Sequence, residues 1–352
     1  MKFRKNGIIF LASILTLNVI AQPENVEYKK FPRTATISVG DLVGIQIPPV
    51  LLAEMAIVAD TDFLVSMNWM NDTIFRVFKL PEVEYLGSFG LKGRGPREFS
   101  LTIPVACPEG IIVPNILRFD LITFDRGKKV TDANFIIKKT YKVPGSFNPV
   151  NHPMIINDTM ICAENNGQSF DKQVSCFNPK TGRVYDIIEY PKFYKAPLST
   201  NRLLYRNGIA STHDGKRIVV SYSRFPLIQI FDTKGNLLHD VYIDEGPPQI
   251  KRIEFSEGSV KNQNELYGYY GKPIITKNFI FVSYRVKRFV NQRYEYYTDS
   301  QCHILDFKGN PILKLIIPDG YSIVPSYDEK WIYFISNKFE DKIFKYPLSN
   351  IL

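Results

Sequence analysis

The chain contains 352 residues, of which 45% are hydrophobic and 13% aromatic, and its formal net charge is +9. An apolar fraction of this size is normal for a globular protein with a core, and it excludes a disordered or collagen-like chain. The 20 tyrosines and 25 phenylalanines favour strands, because aromatic side chains fit a pleated, half-buried surface.

The N-terminal segment has the pattern of an export signal. "MKFRKNG" carries three basic residues and no acidic one, and the apolar run "IIFLASILTLNVIA" follows it. Val19 and Ala21 are small enough for the −3 and −1 positions of a cleavage site. We therefore predict a signal peptide over residues 1–21 and a mature domain over residues 22–352, which is periplasmic or secreted.

Export narrows the range of partners. Removal of residues 1–21 takes three positive charges from a total of +9 and leaves +6, a mild basic bias. Because an exported protein leaves the compartment that holds nucleic acid, no nucleic-acid partner is expected. No later segment is long and apolar enough to span a bilayer, so we expect no membrane span after signal removal. We also expect the mature protein to be a monomer.

A short pattern, a turn followed by a strongly apolar run, occurs six times along the chain. The runs are "DFLVSMN", "EGIIVPN", "DTMICAE", "KRIVVSY", "NFIFVSY" and "KWIYFIS". They are anchored on Leu64, Ile111, Met160, Ile218, Ile280 and Ile332. The anchors are separated by about 54 residues on average, a period typical of propeller blades with four strands each. The sequence therefore predicts an all-β fold, a six-bladed β-propeller.

The ring of blades needs a closing strand. The sixth unit ends with "KIFKYPL" and lacks an outer strand, whereas "TATISVGDLV", from Thr34 to Val43, precedes the first unit and has no local partner. Open strand edges invite aggregation, so a propeller closes its ring. We predict that this N-terminal strand completes the last blade.

The segment "GSFGLKGRGPREF", Gly87 to Phe99, joins the predicted outer strand of blade one to the inner strand of blade two. Its glycines permit sharp bends, and Pro96 fixes one φ angle. The phosphate-loop pattern G-x-x-x-x-G-K-[ST] is absent, and the segment that follows has the pattern of a strand, so we interpret it as a structural link. The alternative is an anion site made by Lys92, Arg94 and Arg97 at the mouth of the channel.

Part of this link also carries a family resemblance. "GLKGRGPREF", followed by "LTIPVAC", resembles the Gly-rich link of TolB-like and NHL-type six-bladed propellers, above all the exported TolB-like propellers of Bacteroidetes. The blade pattern extends the resemblance over most of the mature chain, but only this link is specific. The resemblance implies the propeller fold and, because these families are mainly known as binding and scaffold modules, a binding function.

One face of the predicted disc carries the longest insertions. Strands of a blade alternate in direction, so links between blades and turns between second and third strands lie on the same face, here called the upper face. The two longest insertions, residues 245–272 and 285–301, are of these two kinds and are rich in Arg, Lys and Tyr. Loops on a rigid scaffold commonly carry binding residues, and Tyr and Arg are enriched at interfaces.

From these insertions we predict ligand contacts by Arg252, Tyr267, Tyr269, Tyr270, Arg285, Arg288, Arg293, Tyr294 and Tyr296. The alternative is that the alternating Tyr and Arg residues form an extended, solvated hairpin whose tyrosines pack on the blade edge.

The sequence favours a binding module over an enzyme. The strand assignments place His152 and His213 near inner strands, and His239 and His303 in outer strands. No metalloprotease, nucleophile-elbow or paired-carboxylate motif is present, so no catalytic residue, metal ligand or cofactor is assigned. We expect a binding or scaffold module of the cell envelope whose partner is an envelope protein or an anionic glycan. The alternative is a hydrolase or lyase acting on an anionic glycan, for which Asp, Glu, Asn or His side chains should converge in the channel.

Two of the four cysteines are predicted to pair. Cys162 and Cys176 lie in the second and third strands of blade three, and a hairpin centred on Ser169 places them directly opposite one another. A register shifted by one or two residues would instead leave two buried thiols. Cys107 and Cys302 fall in non-adjacent blades and are expected to stay free.

Overall fold

The computed structural model describes residues 28–48, 56–68, 72–93, 95, 97–99, 103–107, 109–115, 118–125, 127–147, 153–165, 171–192, 197–243, 253–256, 259–336, 338–339 and 341–352. The predicted signal peptide lies outside these ranges, as do Arg94, Arg252 and His152. Within them, no helix is long and apolar enough to cross a membrane.

The first half of the chain forms three short N-terminal strands and three blades. The N-terminal strands are β1 (Tyr28–Lys29), β2 (Thr34–Thr36) and β3 (Val43–Gln46). Blade one contains β4 (Ala56–Ala59), β5 (Phe63–Met67), β6 (Thr73–Lys79), β7 (Glu84–Lys92) and β8 (Glu98–Phe99). Blade two contains β9 (Val105–Cys107), β10 (Gly110–Asn115), β11 (Arg118–Thr123) and β12 (Ile136–Lys142). Blade three contains β13 (Met154–Asn157), β14 (Met160–Glu164), β15 (Lys172–Phe177) and β16 (Val184–Glu189).

The second half forms three further blades. Blade four contains β17 (Asn207–Ser211), β18 (Arg217–Tyr222), β19 (Leu227–Asp232) and β20 (Leu237–Ile243). A small hairpin of β21 (Phe255–Ser256) and β22 (Ser259–Val260) follows. Blade five contains β23 (Gly268–Ile275), β24 (Phe279–Val290), β25 (Arg293–Tyr296), β26 (Gln301–Asp306) and β27 (Pro311–Ile316). Blade six contains β28 (Ser322–Pro325), β29 (Trp331–Ile335) and β30 (Lys342–Pro347). Helix α1 (Asn201–Leu204) and 3-10 turns at Val39–Asp41, Leu198–Thr200, Gln263–Glu265 and Leu348–Asn350 complete the elements.

The prediction of an all-β, six-bladed propeller is confirmed. Each blade is an antiparallel sheet whose first strand, β4, β9, β13, β17, β23 or β28, forms one edge of the sheet. These first strands follow one another around a central channel. The turns between second and third strands and the links between blades therefore reach the upper face together.

The core consists of hydrophobic clusters, one at each interface between neighbouring blades. The second strand of a blade supplies residues to two of them, because its side chains alternate between the faces of the sheet. In β5, Val65 packs toward blade two and Leu64 toward blade six. In β18, Val220 packs toward blade three and Val219 toward blade five. The uninterrupted apolar runs seen in the sequence arise from this covering on both sides.

The last blade is closed by an N-terminal strand, as predicted. Strand β3 pairs antiparallel with β30, from Val43 opposite Lys345 to Gln46 opposite Lys342. The predicted boundaries were wrong, since only Val43 of the segment 34–43 belongs to the closing strand. The preceding residues pair in parallel with two other blades instead: β2 with β27 of blade five, and β1 with β20 of blade four.

Residues 28–47 therefore form a strap along the outer edges of blades four, five and six. Ile37 lies between β2 and β3, is 2% exposed, and packs in the cluster between blades five and six. Its amide donates a hydrogen bond to the carbonyl of Ile316. Lys29 donates a hydrogen bond to the carbonyl of Gly309, 2.9 Å away, and Arg33 donates one to that of Ile351. These contacts fix the strap between its strands.

The structure also brings the predicted cysteine pair together. Cys162 of β14 lies directly opposite Cys176 of β15, and their sulfur atoms are bonded. Cys107 and Cys302 are buried and unbonded.

Replacement of Ile37 by Ala should destabilise the protein by about 2 kcal/mol or more, because it empties a buried site that links the strap to the core. Val39, which is 51% exposed in the same strap, provides the matched control, and Val39→Ala should change stability by less than about 0.5 kcal/mol. Urea unfolding followed by fluorescence measures both values. Equal midpoints for the two variants would show that the strap is not packed as described.

Alkylation of the denatured, unreduced protein should modify two cysteines, Cys107 and Cys302, and reduction should raise the number to four. Mass spectrometry counts the labels, and four labels before reduction would contradict the pairing. Because the bond joins residues 14 apart, the Cys162→Ser/Cys176→Ser double variant should be less stable by about 3 kcal/mol.

Candidate functional site

A pocket of about 860 Å³ opens on the upper face between blades four, five and six. We call it the upper pocket. Its basic lining residues are Arg206, Arg224, Lys272, Arg285 and Lys287, and its tyrosines are Tyr269, Tyr270, Tyr284, Tyr294 and Tyr321. Among the described residues that line it, none is Asp or Glu. The upper pocket therefore combines concentrated positive charge with aromatic walls.

One wall is made by an extension of blade five. Strand β24 continues to Val290, and β25 folds back on it with Phe289 opposite Tyr294. The two-residue turn has Asn291 and Gln292 at positive φ, the conformation that a tight hairpin requires and that Asn adopts readily. Such an extended hairpin is the alternative that the sequence offers to a ligand-binding insertion. Because side chains alternate along β24, Arg285, Lys287 and Phe289 share one face and line the pocket.

The cations of the hairpin are supported by rings more than by carboxylates. The guanidinium carbon of Arg285 lies 3.6 Å from the ring centroid of Tyr296, and an Nη atom lies 3.1 Å from Asp319. Lys287 lies over the ring of Tyr294 at 4.9 Å. A cation above an aromatic face is stabilised without being neutralised, so the charge of Lys287 remains available to a ligand, whereas that of Arg285 is shared with Asp319.

Like charges converge in the upper pocket. Burial lowers the pKa of Lys287, and the neighbouring charges of Arg285 and Arg224 lower it further. Burial also lowers the pKa of Arg224, with a second contribution from Arg206. In both cases the charged form is disfavoured by the surroundings, which an entering anion would reverse.

The structure separates the predicted ligand contacts into two groups. Tyr269, Tyr270, Arg285 and Tyr294 line the upper pocket. The remaining described residues lie outside its lining: Tyr267, Arg288, Arg293 and Tyr296.

Two of the residues outside the lining, Tyr267 and Arg288, hold the hairpin against the insertion that precedes blade five. The ring of Tyr267 meets that of Tyr297 at 5.2 Å, and Arg288 lies 5.6 Å above Tyr267. Arg288 also lies 3.9 Å from Glu295. The described parts of the two insertions are therefore packed side by side.

Four of the basic residues in the upper pocket were missing from the sequence-based set. Arg206 lies just before β17, and Arg224 lies in the short turn between β18 and β19. Lys272 lies in β23 and Lys287 in β24. Turns between second and third strands reach the upper face, and this rule could have identified Arg224. The sequence-based set was drawn from the longest insertions, and Arg224 lies in a short turn.

The glycine-rich link has a structural arrangement. Strand β8 pairs in parallel with the end of β7, and the amide of Gly95 donates a 2.8 Å hydrogen bond to the carboxylate of Glu98. A side chain at Gly93 would collide with this carboxylate. The carboxylate of Glu98 therefore occupies the link, where the alternative interpretation requires a bound anionic ligand.

The basic residues of the link do not converge on an anion site among the described residues. Arg97 donates a 2.7 Å hydrogen bond to the carbonyl of Phe135 and stacks on its ring, with 4.1 Å to the centroid. Lys92 is exposed. Arg94 cannot be placed because it lies outside the described residues.

A second cavity, of about 670 Å³, follows the central channel, and we call it the channel cavity. Its walls are mainly aliphatic and include Val105, Ile112, Met154, Ile156, Ile209 and Ile275. Glu109, Asp158 and His213 also line it, and they lie on turns between first and second strands, at the lower end. Lys272, Ile274 and Ser283 line both cavities, which therefore meet at blade five.

The polar groups of the lower end are engaged with the protein. Asp158 accepts a 2.8 Å hydrogen bond from Lys139, and His213 Nε2 lies 3.1 Å from the carbonyl of Ile275. Burial lowers the pKa of His213, partly opposed by that hydrogen bond and by Glu109. No group of three His, Cys, Asp or Glu side chains suited to a metal ion occurs in the described part of the chain.

His303 corrects one strand assignment. It lies in β26, the third strand of the main sheet of blade five, and not in an outer strand, whereas His239 does lie in the outer strand β20. His303 is fully buried between Tyr270, 3.0 Å from Nδ1, and Gln301, 3.0 Å from Nε2. Burial lowers its pKa to about 3, so the ring is neutral and serves as a structural support for Tyr270.

Comparison with known proteins supports the fold. No protein-family model matches the chain, and no curated protein matches it. Among solved structures, a member of the DUF4221 family from Bacteroides vulgatus ATCC 8482 shares 13% identity at a TM-score of 0.60, with coverage of 87% of this chain and 95% of that one. A protein of Bacteroides fragilis NCTC 9343 whose name describes it as exported shares 12% identity at a TM-score of 0.54, with coverage of 90% and 97%. At these identities the likeness concerns the propeller fold alone.

Proposed function

We propose that this protein is an exported binding propeller of the cell envelope, and that its upper pocket binds an anionic glycan. The observation that carries the proposal is the set of basic residues that line this pocket together with several tyrosines, with no acidic residue among the described lining. Like charges that face one another in a partly desolvated pocket are relieved by a bound anion.

The chemistry of the pocket suits an acidic sugar. Guanidinium groups form paired hydrogen bonds with carboxylate or sulfate, which Arg224 and Arg285 can offer. Tyrosine rings offer flat apolar faces to sugar rings, and their hydroxyl groups can form hydrogen bonds with sugar hydroxyls. A concave volume of about 860 Å³ lies in the usual range of small-ligand sites, which favours a sugar unit over the flat surface of an envelope protein.

The N-terminal segment and the family resemblance support the export and the binding role in this proposal. The signal-peptide pattern of residues 1–21 supports export to the periplasm or the exterior, with residues 22–352 as the mature domain. The resemblance of the Gly-rich link to TolB-like and NHL-type propellers supports a binding or scaffold role. We further propose that the mature protein acts as a monomer.

Binding accounts for the upper pocket better than glycoside hydrolysis does. A glycoside hydrolase of the usual kind places two carboxylic groups beside the scissile bond, one of them as the acid. The described lining of the upper pocket supplies neither. Among the described residues, carboxylic groups that could serve a hydrolase lie at the lower end of the channel cavity, where Asp158 is paired with Lys139.

The double substitution Arg224→Ala/Lys287→Ala should weaken binding of a uronic-acid or sulfated oligosaccharide by about tenfold or more, because two charge-assisted contacts are lost. Isothermal titration calorimetry of the protein with oligogalacturonate and with sulfated oligosaccharides measures this. Arg293→Ala, an exposed cation of the hairpin outside the pocket, is the control and should leave affinity within about twofold.

Affinity should also fall as salt rises, since the attraction is electrostatic. Neutral oligosaccharides that bind as tightly as acidic ones would contradict the proposal. So would equal losses in the double variant and in Arg293→Ala. Binding of an acidic envelope protein in the absence of any glycan binding would overturn the glycan assignment.

A further inference from the structure

Lys272 occupies an unusual place in the central channel. It lies in the channel-lining strand β23 of blade five, at the point where the upper pocket and the channel cavity meet. No described residue forms a hydrogen bond or an ion pair with its amine. An amine in a channel that has no partner among the described residues is a candidate ligand contact.

The backbone around Lys272 is built to place it there. Tyr270 pairs with Tyr284 and Pro273 pairs with Val282, so Gly271 and Lys272 together oppose the single residue Ser283. This is a β-bulge, a feature that commonly re-aims a side chain.

Two glycines lie in close contact with the bulge. A side chain at Gly271 would collide with Ser283 Oγ, and a Cβ at Gly208 of β17 would lie 2.7 Å from the Lys272 Cα atom. Ser221 Oγ donates a 2.6 Å hydrogen bond to the Gly271 carbonyl. Blades four and five therefore clamp the bulge, and the position of Lys272 is fixed by the fold.

The channel cavity below Lys272 has apolar walls. Ile112 and Ile209 are 1% exposed and Met154 is 3% exposed, so they belong to the packed core while lining the cavity. A volume of about 670 Å³ falls in the range of small-ligand cavities. Such walls stabilise an apolar group in proportion to the area that it buries.

We propose that the channel cavity binds a carboxylate with an apolar tail, such as a medium-chain fatty acid, with the carboxylate at Lys272 Nζ and the tail along the aliphatic walls. This site goes beyond the glycan site of the upper pocket. The orientation follows from the charges at the two ends. Glu109 at the lower end repels a carboxylate, whereas Lys272 attracts one.

The electrostatics of the lysine agree with this geometry. Burial lowers the pKa of Lys272 to about 7, and the charge of Glu164 offsets only part of the effect. Among the described residues, the ammonium form has no ion-pair partner. A bound carboxylate supplies it and restores the charged state.

Titration with decanoate and with decan-1-ol tests the proposal, because the two probes share the tail and differ in the charge. Decanoate should bind at least about tenfold more tightly than decanol. Lys272→Met, which keeps length and removes the charge, should lower decanoate affinity by about tenfold and leave decanol affinity unchanged. Lys139→Met is the matched control, since Lys139 lines the same cavity but is paired with Asp158, and it should change affinity by less than about twofold.

A labelling experiment on the unsubstituted protein keeps the test independent of how the variants fold. Decanoate should slow acetylation of Lys272 by acetic anhydride, located by mass spectrometry, and should leave the rate at Lys139 unchanged. Equal affinity for the two probes, full decanoate binding by a folded Lys272→Met variant, or no protection of Lys272 would each overturn the proposal.

The two proposed sites can fail separately. The Arg224→Ala/Lys287→Ala variant should keep its decanoate affinity, because neither residue lines the channel cavity. Loss of decanoate binding in that variant would place the fatty acid in the upper pocket and overturn the channel assignment. Loss of glycan binding alone leaves the channel site as proposed.

Discussion

The closure of the ring by β3 is the constraint on which the rest of the structure depends. Each blade packs only on its two neighbours, so the shape of the channel is set only when blade six is complete and meets blade one. Ile47, just after the closing strand, packs with Leu64 of blade one and Tyr333 of blade six. The same segment continues backwards along blades five and four, the blades that share the upper pocket with blade six. The strap thus fixes the relative positions of the three walls of this pocket.

Much of the fold could be predicted because its causes are local or periodic. The apolar run around Leu64 or Val219 is forced by burial on both faces of a second strand. The partner of the closing strand could be predicted because a blade without an outer strand leaves an open edge. The parallel pairing of Thr34–Thr36 with blade five could not be predicted. It depends on the course of the chain between β2 and β3, which no local sequence pattern indicates.

The candidate site was less accessible to sequence reasoning. Composition pointed to the hairpin of blade five, but Arg288 and Tyr296 serve to hold that hairpin in place. Arg206 and Arg224 reach the same pocket from blade four, and their convergence with Lys287 is a property of the closed ring. Lys272 depends on a bulge, which is one extra residue in a strand pairing and leaves no recognisable motif. Charge convergence and bulges become visible only when distant segments are placed together.

The two cavities together give the channel a charge gradient. Cations dominate the described lining of the upper pocket, Lys272 lies between the cavities, and Glu109 lies at the lower end. Lys287 of the hairpin lies over the ring of Tyr294, Arg285 contacts both the ring of Tyr296 and Asp319, and Asp158 at the lower end is paired with Lys139. The excess of cations in the lining of the upper pocket favours entry of an anion from the upper face. The aliphatic walls of the channel cavity are unfavourable for a free charge, which is why the proposed ligand keeps its carboxylate at Lys272 and extends an uncharged tail along those walls.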